Sequence, residues 1–425
     1  MHANFRGRRV ALACSGVLAA AVALSACGGS SSSSSSSSGA SASSDSGSSA
    51  LGPEKKASGE PVLIGSVNDG VSAAIDTSAE GKAADAVVAY ANDHLGGIGG
   101  RPIKLVHCET KASPTTDCGN QFVAAKVIAV TGGSLGQTEP VIKPLNDAGI
   151  PYVDILNQSP GLFKSPIDFT LSNPLNALGG PAIYAKDNGI KHAAVVVIDV
   201  PAAIEPAKQL TPIFFGNAGA TVDVVAAPPG TADMTPQIQA EEAKKPELYH
   251  LIGNPSFCAA ALKAIKTLGV KAKVTGIDRC IDKTAAASIP GGFADFTVFT
   301  PANLDPSSDE VKLYDAIRAK YDPNTPSDAV YSTGYQSILG LIRVLNANAL
   351  TDFTPAGVAA AIKAAPPVDL PLGGGAKFQC NGKQITISPA ICSTGGITAE
   401  AQADGSLQNF KTVEGPGIYV FPTKK

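Results

Sequence analysis

Val62-Leu63-Ile64-Gly65-Ser66-Val67, an Ala-rich stretch from Ser78 to His94 closed by Gly96-Gly97, and Ile103-Lys104-Leu105-Val106-His107 together decide the fold of this chain. A short apolar run, a longer run of strong helix formers ended by glycine, and a second apolar run read as strand, helix and strand. Parallel strands joined by a crossover helix are the unit of an α/β sheet. Working outward, Asn120 to Lys126 continues the alternation as a helix, Val127 to Val130 as a third strand, Thr138 to Ala148 as a helix and Ile150 to Ile155 as a fourth strand.

A second series follows the turn Asn173-Pro174. Its strands are Ala193 to Ile198, Thr221 to Ala226, Leu248 to Ile252 and Lys273 to Thr275. Helices around Pro206 to Asn217, Pro236 to Lys244 and Cys258 to Leu268 separate them. After Phe296 to Thr300 come two longer helices, Asp309 to Tyr321 and Ala329 to Asn348, which return to the first lobe. A Gly-rich, hairpin-like segment from Lys377 ends in a strand at Ile418 to Phe421. The expected fold class is α/β, with two doubly wound lobes. Residues 61–172 and 301–405 form lobe 1, and 173–300 and 406–425 form lobe 2.

The start of the chain addresses it elsewhere. Arg6, Arg8 and Arg9 precede an apolar run from Val10 to Leu24 that is too short to span a bilayer, and Leu24-Ser25-Ala26-Cys27 follows. This is the pattern of a lipoprotein signal peptide over residues 1–26, with Cys27 diacylated after cleavage. Residues 27–60 are mostly Ser, Gly and Ala and cannot bury enough apolar surface to offset their ordering entropy. They read as a leash with a reach of roughly 30 Å. The expected location is therefore extracytoplasmic, at the cell membrane.

A formal net charge of −3 over 425 residues, with acids and bases interspersed, provides no concentrated basic face and argues against nucleic acid. Cys14 leaves with the leader and Cys27 carries lipid, so Cys108, Cys118, Cys258, Cys280, Cys380 and Cys392 remain in an oxidising compartment. Many pairings are formally open. The sequence-adjacent ones, Cys108–Cys118, Cys258–Cys280 and Cys380–Cys392, each close a short loop and are the expectation. No Cys-x-x-Cys occurs, and His94, His107, His192 and His250 lie at no ligand spacing, so neither metal nor cofactor is expected.

In open α/β sheets ligands bind beyond the carboxyl ends of the strands. The candidate turns are Asn68-Asp69, Gly132 to Gln137, Asn157 to Ser159, Asp199 to Ile204, Asn254-Pro255 and Asp278. Ser134 stands between a strand and a helix start, where unpaired N–H groups favour an anion. Gly132-Gly133-Ser134-Leu135-Gly136 also fits Gly-x-Ser-x-Gly, the nucleophile elbow of α/β-hydrolases. That chemistry needs a histidine at a strand end downstream. His192 precedes a strand and His250 lies within one, so a secreted serine hydrolase is the alternative rather than the main reading.

Val62 to Gly65, Asn92-Asp93-His94-Leu95-Gly96-Gly97-Ile98 and Gly100-Arg101-Pro102-Ile103-Lys104-Leu105 resemble the opening of the type I periplasmic binding proteins, specifically the leucine/isoleucine/valine-binding receptors of ABC importers. Ala148-Gly149-Ile150-Pro151 and Leu262 to Gly276 continue the resemblance over nearly the whole body. It implies two lobes joined by three hinge crossings and closing on a ligand. It further implies a monomeric receptor with no catalytic residues, partnered by an ABC permease; a surface ligand sensor without a permease is a second alternative. The resemblance puts either Ser134 or Leu135 at the family's carboxylate-binding serine. Asn157, Gln158 and Ser159 fall where further ligand contacts are made, and Asp278 where a glutamate meets the ligand's ammonium. Thr77, Ile204 and Asn254 replace family tyrosines, a departure that favours a small amino-acid-like or amide ligand over a branched-chain amino acid.

Overall fold

The first sheet holds β1 (Val62–Asn68), β2 (Ile103–Glu109), β3 (Ala129–Gly132), β4 (Tyr152–Asp154) and β5 (Phe169–Thr170). Their order is β2-β1-β3-β4-β5 and every pairing is parallel. The computed structural model describes residues 49–71, 76–111, 117–133, 135–156, 159–327, 329–415 and 417–421. Strands β1 and β3 are buried along almost their whole length. That explains why apolar and small residues predominate in them, since both faces of a parallel sheet are covered by helices. Helices Ser78–Tyr90 and Ala329–Ala347 pack together on one face, with Val87, Ile338 and Ile342 in one core with Ile64 and Val153.

The second sheet is built from β6 (His192–Ile198), β7 (Thr221–Ala227), β8 (Leu248–Ile252), β9 (Lys273–Ile277) and β10 (Phe296–Thr300). After a short antiparallel pair, β11 (Val368–Asp369) with β12 (Lys377–Phe378), the chain adds β13 (Gly395–Ala401) and β14 (Leu407–Glu414) to it. The order is β14-β13-β10-β9-β8-β6-β7, with β13 and β14 antiparallel additions at one edge. The return to the second sheet therefore comes at Gly395, ahead of the expected boundary at 405/406, because Phe296 to Thr300 pairs directly with Ile397 to Ala401. Ile418 to Phe421 is not a strand. Ile418 and Tyr419 lie in a turn and anchor the chain's end in the second lobe's core.

Three crossings join the sheets, between Thr170 and Asn176, between Thr300 and Asp309, and between Cys392 and Gly395. The first two leave from the carboxyl ends of parallel strands β5 and β10. The third enters β13 beside that same end of β10, where Ile397 faces Thr300. The carboxyl edges of both sheets thus border the hinge. Asn173 Nδ2 donates to Thr394 O at 3.3 Å, linking two of the crossings.

The leash ends earlier than composition suggests. Leu51 is buried in the first lobe's core. The N–H groups of Lys55, Ala57 and Ser58 donate to Asp93 O, Asn92 O and Gly100 O at 2.8, 2.7 and 3.0 Å. One apolar side chain and a row of backbone hydrogen bonds are enough to order a segment of otherwise small or charged residues. Cys27 lies outside the described residues. Among those described, no helix is long and apolar enough to cross a membrane.

All three expected disulfides are present, with Cα–Cα distances of 5.5 Å for Cys108–Cys118, 5.2 Å for Cys258–Cys280 and 4.3 Å for Cys380–Cys392.

Candidate functional site

In the first sheet the strand order reverses at β1 and β3, and a crevice is expected beyond their carboxyl ends. Three segments meet there. Asp69, just past β1, is buried; its Oδ2 accepts the N–H of Gly136 at 2.7 Å and its Oδ1 the hydroxyl of Thr110 at 2.5 Å. The turn after β3 is thereby fixed to the ends of β1 and β2. On the other side stands the first turn of helix Ser78–Tyr90. Thr77 is buried at its N-cap, donating its N–H to Gly70 O at 2.9 Å. Glu80, also buried, brings its carboxylate against Gly133 so closely that a Cβ there would lie 2.3 Å from it. A side chain at that position would have to displace the buried Glu80 carboxylate.

Thr77-Ser78-Ala79-Glu80 has the spacing of a capping box. Thr77 makes no side-chain cap bond, and Glu80 instead faces the β3 turn. The sequence points to the Asn68-Asp69 turn but neither to Glu80 nor to the double anchoring by Asp69. The capping-box spacing was the available signal for Glu80. Leu135 is half-buried and packs on the core beneath this turn. Ser134, Asn157 and Gln158 lie outside the described residues. Ser159 Oγ donates to Glu139 Oε1 at 2.6 Å and accepts the Leu162 N–H at 3.2 Å, so its hydroxyl caps helix Pro160–Lys164 and ties it to helix Glu139–Asp147.

The second lobe offers the ends of β6, β8 and β9. Asn254 is the N-cap of helix Pro255–Thr267, its Oδ1 accepting from Phe257 N at 2.9 Å. Asp278 follows β9 directly and is half-buried; its Oδ1 accepts the Arg279 N–H at 2.9 Å, and burial raises its carboxyl above the usual range. The Cys258–Cys280 bridge binds these two turns together. Ile204 is in a different setting. It is buried within the core cluster of Val195, Val197 and Ile252, where it fills the interior of the lobe. Thr77, Leu135 and Ser159 therefore stand at the carboxyl edge of one sheet, and Asn254 and Asp278 at that of the other.

Two histidines are also located. His250 is fully buried on β8; its Nε2–H donates to Ala177 O at 2.9 Å, leaving Nδ1 to accept from Thr275 Oγ1 at 2.9 Å. Burial depresses it to about 3. His192 opens β6 at the amino end of the sheet and binds Asp223.

A cavity of about 700 Å³ opens elsewhere, lined by Tyr90, Lys55, Gly99, Glu310, Arg343 and Asn346 among others. Tyr90 ends its helix and Gly99 precedes β2, so this hollow lies at the amino ends of the first lobe's strands. Arg343 and Glu310 form a two-pronged ion pair beside it, at 2.8 and 3.2 Å. The strand topology, rather than cavity size, carries the assignment of the ligand crevice.

Two α/β lobes with three crossings at their carboxyl edges define a hinged binding protein. Residues 61–389 match the family model described as periplasmic binding protein, and the chain belongs to that family. No curated protein matches it by sequence. Among solved structures it is similar to the leucine-, isoleucine-, valine-, threonine- and alanine-binding protein of Brucella ovis in its closed conformation, with TM-score 0.68 and 15% identity over 86% of this chain and 97% of that one. It is also similar to an ABC transporter substrate-binding protein from Sphaerobacter thermophilus, with TM-score 0.65 and 18% identity over 84% and 98%. A third is a solute-binding protein from R. palustris in complex with 4-hydroxybenzoate, with TM-score 0.58 and 18% identity over 84% and 97%. Family membership makes the chain an extracytoplasmic solute-binding protein.

Proposed function

We propose that this chain is a lipid-anchored receptor that captures a small amino-acid-like or amide ligand between its lobes and delivers it to an ABC permease. The observation that carries this reading is the placement of all three crossings at the carboxyl edges of both sheets. Rotation about them would close the β1–β3 turn of one lobe on the Asn254 and Asp278 turns of the other. Asp278 is the residue suited to an ammonium, because a half-buried carboxylate gains most from a charge-assisted bond. Ser134 or Leu135, with Asn157 and Gln158, would serve the opposite end of the ligand. Lobe 1 is taken as the first sheet with the helices of residues 309–364, and lobe 2 as the second sheet. The lipobox at Leu24 to Cys27 supports anchoring through Cys27.

The hydrolase alternative has little support from geometry. His250 uses both ring nitrogens inside the core, and His192 sits at the amino end of its sheet.

A thermal-shift screen of amino acids, amides, urea, short peptides and aromatic acids tests the reading. A ligand that binds only the folded form raises the melting temperature by mass action. Amino acids or amides should do so; a response confined to aromatic acids or peptides would contradict the ligand class. Fractionation of cells carrying Cys27→Ala tests the anchor, since the variant should leave the membrane fraction or remain unprocessed.

A further inference from the structure

His192, Asp223 and Glu241 are far apart in sequence, and their spacing resembles no metal motif. The fold brings them together. β6 and β7 are parallel neighbours, with His192 beside Thr221 and Ala194 beside Asp223, so both side chains rise from one face near the amino end of the sheet. Helix Thr235–Glu242 lies nearby and places Glu241 over them. One imidazole nitrogen and one oxygen from each carboxylate lie within 4.8 Å of one another.

The pairing inside the cluster is incomplete. His192 Nε2 meets Asp223 Oδ2 at 2.9 Å. Lys244 Nζ reaches Glu241 Oε2 at 3.0 Å and Asp223 Oδ1 at 3.4 Å. Glu241 is only 4% exposed, yet its Oε1 is buried with no hydrogen-bond partner among the described residues. A buried carboxylate oxygen without a donor is costly. Lys244 is about half exposed and can swing into water without leaving an apolar pocket. The structure therefore holds two facing carboxylates, one imidazole, an oxygen awaiting an electropositive partner, and an ammonium that can be displaced.

We propose that His192, Asp223 and Glu241 form a binding site for one divalent transition-metal ion, with Lys244 standing in for the cation when no metal is bound. One imidazole and two carboxylates suit zinc, which takes N and O ligands tetrahedrally and leaves the fourth position to water. Magnesium demands a near-octahedral oxygen shell and is disfavoured by the imidazole. Bound there, the ion clips β6, β7 and helix Thr235–Glu242 together at the pole of the second lobe remote from the hinge.

Isothermal titration of the purified, disulfide-bonded protein with zinc chloride, and separately with magnesium chloride, tests this. One zinc per chain is expected, with magnesium failing to compete. His192→Gln and Glu241→Gln should each weaken zinc at least about tenfold, since even outer-shell changes at metal sites cost that much. His107→Gln, which removes the exposed His107–Asp85 pair, should leave it unchanged. Lys244→Met should tighten it by removing the competing ammonium, and this solvent-side change tests the site independently of the folding of the other variants. Absence of saturable zinc binding by the parent, binding that survives both His192→Gln and Glu241→Gln, or binding not tightened by Lys244→Met would overturn the proposal.

Discussion

Asp69 accepts the backbone N–H of Gly136 at 2.7 Å, fastening the end of β1 to the turn after β3. The same carboxylate takes the Thr110 hydroxyl, so one buried side chain sets the shape of the first lobe's crevice. Asp69→Ala would leave a backbone N–H and a hydroxyl without their acceptor, at a cost of about 1–3 kcal/mol. Urea unfolding should show a lower midpoint with an unchanged slope, and Asp69→Asn, which keeps one acceptor, should lose less. A midpoint for Asp69→Ala equal to the parent's would remove the anchoring role.

Asp278 carries the prediction about ligand chemistry. Truncating one partner of a desolvated charge pair costs about 2–5 kcal/mol. Asp278→Asn should therefore weaken an amine-bearing ligand at least roughly tenfold, measured by calorimetry with the ligand that the thermal screen identifies. Unchanged affinity would end the ammonium assignment.

His250 makes stability depend on pH in a defined direction. Its folded pKa, about 3, lies below the ordinary value of 6.5. Between those values the unfolded chain binds the proton and the native state does not, so stability falls as pH drops below about 6.5. From pH 7 to pH 5 the loss from this group should be on the order of 2 kcal/mol. Comparing urea midpoints at the two pH values, His250→Gln should lose less stability than the parent on acidification. An equal loss in both would assign the acid sensitivity to other groups.

Much of the fold was legible because the strands that matter are short, apolar and bounded by turn residues. Leu248 to Ile252 and Phe296 to Thr300 occur with the limits that their composition indicates. Helix Asn176–Asp187 was hidden by Gly179-Gly180-Pro181, which reads as a turn. These glycines instead permit close packing, since a Cβ at either would lie 2.3 Å from the Tyr419 ring or 2.6 Å from that of Phe299. Such a contact partner is invisible in local sequence. β14 is not legible in the sequence because Gln408, Asn409 and Lys411 give an edge strand a polar face. At the crevice, the turns were legible from strand ends alone, and the burial of Ile204 was not. Its helix begins at Pro201, five residues ahead of the expected Pro206, and carries Ile204 into the core.

The Cys258–Cys280 bridge spans 22 residues and joins the turns of Asn254 and Asp278. The paired substitution Cys258→Ser/Cys280→Ser should lower stability by about 3 kcal/mol, the scale for a loop of that size, and weaken ligand binding as well. Removing Cys380 and Cys392 together should affect binding less, because neither borders those turns. The two double variants can be compared by melting temperature and calorimetry, and equal losses of affinity would show that the bridge between the two turns has no special part in binding.

If ligand is held between two lobes that rotate about the crossings near Asn173, Pro301 and Thr394, binding should draw the lobes together. Small-angle X-ray scattering with and without saturating ligand measures that rotation directly. A smaller radius of gyration with ligand is the predicted result, and Asp278→Asn should need at least roughly tenfold more ligand to reach it. A radius of gyration unchanged by a ligand that calorimetry shows to be bound would contradict closure about the crossings.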